Sequence, residues 1–225
     1  MIVSHKYKFI FIKTRKTAGT TIMFNLSKYL GKDDITSLSD SYPSQNYIHQ
    51  TKFSKFLHNI NLKKLSKKFN KTIEPHTHAN QVKKIIGDKI FNDYFKFCVE
   101  REPVDKSISY YFMRKNAHDS SSRRKNMTWD DFVKKKRFPI DTNFYTEKNK
   151  LIVDRIIKYE NLSEELSMTL KNLGINNFKI EKSLNNFTRE SNPIVTENHK
   201  KIIYNKFKSS LKFTNYSAPL SNINF

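Results

Sequence analysis

The densest chemical signal lies near the start of the chain, in Lys13-Thr-Arg-Lys-Thr-Ala-Gly-Thr-Thr21. It falls between an apolar run and a helical pattern, where the backbone N–H groups of a helix start point outward with partial positive charge. Lys16 adds a full charge, Thr17, Thr20 and Thr21 add hydroxyl donors, and Ala18 and Gly19 leave room for an anion to approach the backbone. By composition and position this is a phosphate cradle. It is not a Walker P-loop, because the lysine precedes the glycine instead of following it.

Arg101-Glu-Pro-Val-Asp-Lys-Ser-Ile-Ser109 is a second constellation. A guanidinium suits a phosphate, and Arg101 falls at the end of an apolar run, with Ser109 two turns into the helix that follows. The same residues also fit a plainer arrangement, an Arg101–Asp105 pair and a serine in an ordinary helix. The third is Pro75-His-Thr-His-Ala79. A histidine is the usual general base near neutral pH. His76 and His78, one residue apart, also have a spacing open to metal ligation, but no cysteine or carboxylate cluster accompanies them, so no metal is expected.

These residues need elements to hold them. Segments 7–13, 94–101 and 153–159 are short, apolar and rich in β-formers, and read as buried strands. Helical patterns follow each: 20–30, 103–115 beginning with Pro103, and 163–173 with Ser163 as N-cap. Further helices are expected up to Ile86 and over 196–208. Gly31, Gly87 and Gly174 follow helical patterns, where left-handed C-caps belong. The alternation predicts an α/β fold, a single domain over 1–225 with a central parallel sheet flanked by helices. In such a sheet ligands bind at the carboxyl ends of strands, which puts Arg101 on the same edge as the first cradle. A basic amphipathic helix is expected within 41–73, on the spacing of Phe53, Phe56, Leu57 and Ile60, and a mobile loop at 116–127.

Composition narrows the function. The 225 residues carry 42 Lys and Arg against 21 Asp and Glu, a net charge of +21. An anionic partner follows: phosphate, sulfate, nucleic acid, acidic glycan or membrane surface. Mean hydropathy is −0.70, offset by 13% aromatic residues, each of which buries a large area. The lone Cys98 excludes an internal disulfide framework and a structural zinc site. No run reaches the roughly 20 apolar residues that span a bilayer, and no signal peptide is evident. The expectation is a cytoplasmic protein.

Together the three motifs resemble the sulfotransferases that use 3′-phosphoadenosine 5′-phosphosulfate (PAPS). Lys-Thr-Ala-Gly-Thr-Thr follows an apolar strand, the His segment comes next, and then Phe-Cys-Val-Glu-Arg-Glu-Pro-Val-Asp-Lys-Ser-Ile-Ser-Tyr-Tyr. The order is similar to the carbohydrate branch, including the heparan and uronyl 2-O-sulfotransferases. Ile-Ile-Lys-Tyr-Glu-Asn-Leu at 156–162 also resembles that family. The resemblance covers most of 7–175 and implies a P-loop-like nucleotide-binding fold. It implies that Arg15 and Lys16 through Thr21 bind the 5′-phosphosulfate, with Lys16 stabilising the leaving charge, and that Arg101 and Ser109 bind the 3′-phosphate. It implies His76 or His78 as the base, and Arg189, in a late loop around Asn185–Arg189, as a further nucleotide contact. The implied partners are PAPS, with PAP (3′-phosphoadenosine 5′-phosphate) as product, and a saccharide or other hydroxyl acceptor, with no metal and no specific nucleic acid.

Three departures from the family pattern stand out: Arg15 where proline is usual, Arg-Glu-Pro for Arg-Asn-Pro or Arg-Asp-Pro, and Asp105-Lys106 for an acid–arginine pair. Competing functions are a polyanion or nucleic-acid binder without catalysis, a sulfotransferase that binds but no longer reacts, and a nucleotide kinase. The kinase lacks both the Walker Gly-Lys-Ser/Thr and an obvious Mg²⁺ pair.

Overall fold

A computed structural model describes residues 1–37, 74–116, 122–181 and 191–217. Strand β1 (Ile2–Ser4) turns into β2 (Phe9–Ile12), which leads through the loop at 13–18 into α1 (Gly19–Leu26) and a 3₁₀ turn at Ser27–Tyr29; β3 (Ile35–Thr36) follows. After residue 74 come α2 (Ala79–Ile86), α3 (Asp88–Asp93), β4 (Phe95–Glu100) and α4 (Pro103–Asn116). Next are α5 (Ser122–Lys125), α6 (Trp129–Lys134), α7 (Thr142–Tyr145) and the small hairpin β5 (Thr146–Glu147) and β6 (Lys150–Leu151). The described chain ends with β7 (Arg155–Lys158), a 3₁₀ turn at Tyr159–Asn161, α8 (Leu162–Asn172) and α9 (Glu197–Thr214).

Five strands form the central sheet in the order β3-β1-β2-β4-β7. The three strands expected from the sequence, β2, β4 and β7, are neighbours and run parallel, with Ile12 opposite Cys98 and Glu100 opposite Lys158. β1 is antiparallel to both β2 and β3. Four of the five strands therefore point one way, and the sheet is mixed instead of wholly parallel.

Both faces of the sheet are covered. Phe9 and Phe11 point to one side, with Phe97, Val99 and Ile157, and pack against Ile22, Met23 and Leu26 of α1 and Leu166 and Leu170 of α8. Ile10 and Ile12 point to the other, with Cys98, and meet Val82 of α2, Phe91 of α3 and Phe144 of α7. A strand buried on both faces reads as a continuous apolar run, as Phe9–Ile12 does; β4 and β7 keep apolar centres between charged residues. A separate aromatic core joins α4, α6 and α9 through Tyr111, Phe112, Trp129, Phe132 and Phe207.

Several boundaries differ from expectation. α1 stops at Leu26 and tightens into a 3₁₀ turn before 30. α8 begins at Leu162 with Asn161 as its N-cap, so Ser163 lies inside the first turn. α9 runs on to Thr214, and its N-cap Thr196 accepts the His199 N–H at 3.2 Å. Gly87 and Gly174 do take positive φ, 87° and 85°, but Gly31 does not. The helix expected within 41–73 lies outside the described residues. Of 116–127, residues 117–121 also lie outside them, while Ser122–Lys125 are helical and Met127 is buried.

Candidate donor site at the sheet edge

The C-terminal ends of β2, β4 and β7 bring Lys13, Arg101 and Tyr159 to one edge. The 13–18 loop is held from below by its own threonines. Thr14 donates its hydroxyl to the Val99 carbonyl of β4, and its Oγ1 lies 2.8 Å from that of Thr17. Thr17 is fully buried, so its hydroxyl serves the loop. Two non-glycine residues take the left-handed conformation, Lys16 (φ 62°) and Ala18 (φ 57°). Such positions are uncommon for residues with a Cβ and occur where surrounding contacts impose them. Ala18 is the N-cap of α1 and supplies no side-chain cap, and the first turn carries no acidic residue. The backbone donors there are left to other partners.

Two arginines brace the loop from opposite sides. Arg15 donates its backbone N–H and its Nε to Asp141, at 2.7 and 2.6 Å, and an Nη to the Ile140 carbonyl at 2.9 Å. Its guanidinium stands 5.5 Å from the Phe144 ring. Arg101 donates to the Lys16 carbonyl at 3.2 Å and pairs with Asp105 at 2.5 Å. Its guanidinium lies 4.0 Å over the Tyr159 ring. The Arg101–Asp105 pair of the plainer reading forms, and the same guanidinium also reaches the cradle.

Beneath Arg15 is a buried ionic cluster. Lys106 is fully buried and donates to Glu100 at 2.6 Å and to Asp141 at 2.9 Å. Burial opposes the Lys106 charge, but the two carboxylates outweigh it and raise its pKa above the usual value. Burial pushes the Glu100 carboxyl up, against the pull of Lys106.

Glu102, the departure beside Arg101, has a structural task. Its carboxylate accepts the N–H groups of Val104 (3.0 Å) and Asp105 (2.7 Å), as an N-cap of α4 does. It also accepts the Tyr204 hydroxyl at 2.7 Å.

The histidine segment reaches the same edge. His76 Nδ1 lies 3.0 Å from the Lys13 carbonyl. A carbonyl only accepts, so Nδ1 carries the proton and Nε2 of the neutral ring is the acceptor. Burial holds His76 below the ordinary histidine pKa; the Lys13 hydrogen bond and Asp141 oppose that shift only in part. His78 precedes α2 and packs against Phe144, with ring centroids 4.4 Å apart and the ring planes tilted by 35°. Burial lowers its pKa too.

Of the residues singled out from sequence, the structure gathers Arg15 through Thr21, Arg101, His76 and His78 at this edge. Ser109 is half-buried on α4. Arg189 lies outside the described residues. Sequence reading passed over Asp141, Phe144 and Tyr159. Asp141 meets Arg15 across 126 positions, and no local pattern announces such a contact. Tyr159 follows the third parallel strand directly, a place where a site residue belongs.

A sulfotransferase family model matches residues 1–215. The chain belongs to the sulfotransferase family. A protein of Archaeoglobus fulgidus, described only as uncharacterized, is 33% identical over 102 residues, 43% of this chain and 82% of that protein. No solved structure matches the chain. Among the described residues, no helix is long and apolar enough to cross a membrane.

Proposed function

We propose that the chain transfers the sulfuryl group of PAPS to an acceptor hydroxyl, on a carbohydrate, with the 13–21 loop as a P-loop-like donor cradle. One observation carries the reading. Arg101 and the cradle, expected from separate motifs to share a nucleotide, meet directly through the Arg101–Lys16 carbonyl hydrogen bond of 3.2 Å. The residues fit a polyanionic donor. Lys16 and Arg101 supply cations, and the first turn of α1 holds no acid to repel it. The net charge of +21 favours an anionic glycan as acceptor.

The chemistry is an in-line displacement. The acceptor oxygen forms a bond to sulfur as the bond from sulfur to the bridging oxygen breaks, and that electron pair stays on the departing 5′-phosphate. Lys16 neutralises this charge. The acceptor proton goes to His76, whose Nε2 is left as the acceptor when Nδ1 donates to Lys13; this favours His76 over His78. Such base catalysis is worth about 10²–10⁴ in rate. Arg101 and Ser109 bind the 3′-phosphate.

The test pairs calorimetric titration of PAP with sulfuryl transfer from labelled PAPS to a glycan panel. Saturable PAP binding over ATP, turnover lost in Lys16→Ala and His76→Ala, and PAP binding kept in His76→Ala are expected. Equal response to PAP, ATP and inorganic sulfate would sink the reading and favour a general polyanion binder. Turnover surviving in His76→Ala but lost in His78→Ala would move the base to His78.

A further inference from the structure

Lys13 stands at the end of β2, three residues before Lys16. Its side chain crosses the first turn of α1. A Cβ placed on Gly19 would lie 2.6 Å from Lys13 Cγ, 3.1 Å from Cε and 3.3 Å from Cδ. At its tip Nζ donates to Thr20 Oγ1 at 2.9 Å. Gly19 is not among the residues with positive φ, so its missing side chain matters here for space. The lysine chain occupies that space. The residue that does need left-handed backbone is its neighbour Ala18.

The ammonium is poorly compensated. Thr20 takes one of its three N–H donors. Among the described residues no carboxylate pairs with it, and burial lowers its pKa to about 8. The ionisable groups that interact with it are the Met1 amine and His76, both cationic when protonated. A half-buried cation without a counter-charge, at the start of a helix whose first turn lacks acids, is arranged for an anion.

We propose that Lys13 is a donor-binding residue, its ammonium carried over Gly19 to Thr20 so as to contact the 5′-phosphate beside Lys16. The inference rests on the donor-site reading above. It gives the site two lysines and gives Gly19 the task of letting one of them through.

The experiment is calorimetric titration of PAP from pH 7 to 9.5, with melting temperatures as a check on folding. Phosphate groups have their second pKa near 6, so the ligand's charge changes little from pH 7 upward and hardly at all through pH 8. Wild-type affinity should fall as pH rises through about 8, by up to tenfold per unit, because the bound form requires the proton. Lys13→Arg should hold its affinity across the range. Lys13→Met should bind roughly ten- to hundredfold more weakly at pH 7, the span of a hydrogen bond to a charged group, and lose the decline.

Gly19→Ala supplies an independent arm. In the wild-type background its Cβ displaces Lys13 and weakens PAP about as Lys13→Met does. In a Lys13→Ala background, where Cγ is gone, it should cost little more. Equal losses in both backgrounds, or Lys13→Met binding PAP like wild type with the same pH dependence, would overturn the proposal while leaving the donor site intact. A wild-type protein that does not bind PAP would overturn both.

Discussion

Asp141 accepts two hydrogen bonds from Arg15, one from the backbone N–H at 2.7 Å and one from Nε at 2.6 Å, while its Oδ2 also takes the ammonium of Lys106 at 2.9 Å. One fully buried carboxylate thus ties the 13–18 loop to the ionic cluster under the sheet edge. Removing one partner of a buried pair strands the other and costs roughly 3–5 kcal/mol.

Asp141→Asn is therefore expected to lower stability by about 3 kcal/mol or more, visible as a melting point depressed by roughly 6–20 °C in a chain of this size. PAP affinity should fall with it, since Arg15 loses its anchor. Denaturant unfolding together with PAP titration checks both. A stability change within about 0.5 kcal/mol, the range of ordinary surface substitutions, would contradict the role given to the cluster.

The pH dependence of kcat/KM should be bell-shaped. His76 is held below its ordinary 6.5, chiefly by burial, so the base is lost only when pH falls below that value. Lys13 is lowered to about 8, so donor binding weakens as pH rises through that point. Optimal activity is expected between roughly 6.5 and 8. In Lys13→Arg the alkaline limb should move beyond pH 9 with the acid limb in place, whereas Lys13→Met, which removes a positive charge beside His76, should move the acid limb upward.

Arg101→Lys is not a conservative change. Lysine loses the fork that serves Asp105 and the Lys16 carbonyl together, and the planar face over Tyr159. PAP affinity should drop about tenfold or more. AMP, which has the 5′-phosphate alone, separates the causes. A larger loss for PAP than for AMP marks direct contact with the 3′-phosphate, and equal losses would mean that Arg101 acts through the loop.

Glu102→Ala should cost about 1–2 kcal/mol of unfolding free energy, from the lost cap on Val104 and Asp105 and the lost Tyr204 hydrogen bond. Glu102→Asp keeps a good capping side chain but is too short to serve both tasks, so it should cost less than half as much. Chemical denaturation of the three proteins gives the comparison.

The parts of the fold legible in the sequence were those that bury both faces of a strand. Phe9–Ile12 announces itself as an unbroken apolar run, and Phe95–Glu100 as one interrupted by Lys96 and closed by Glu100. Ile2–Ser4 and Ile35–Thr36, three and two residues long, offer no period to read, and the antiparallel side of the sheet went unseen with them. The site shows the same division. Lys16, Arg101 and His76 lie in local motifs, where residue type and the adjoining strand or helix suffice. Asp141 is defined only by what folds over it. Gly19 was legible as special, but its reason was not: the sequence suggests room for a ligand, while the nearest atoms belong to Lys13.

The first residue of the chain also meets both flanks of the 38–73 segment. The Ser37 N–H donates to the Met1 carbonyl at 3.1 Å, and the Met1 amine donates to the Pro75 carbonyl at 3.1 Å. The segment thus departs from and returns to neighbouring points, both fastened to Met1, the residue before β1. Its length then bears little on the sheet, because closing a longer excursion costs only slowly rising entropy. Insertions or deletions between Ser37 and Pro75 are therefore expected to leave the five-stranded sheet and the 13–18 loop in place, because both ends of the excursion stay fastened to Met1.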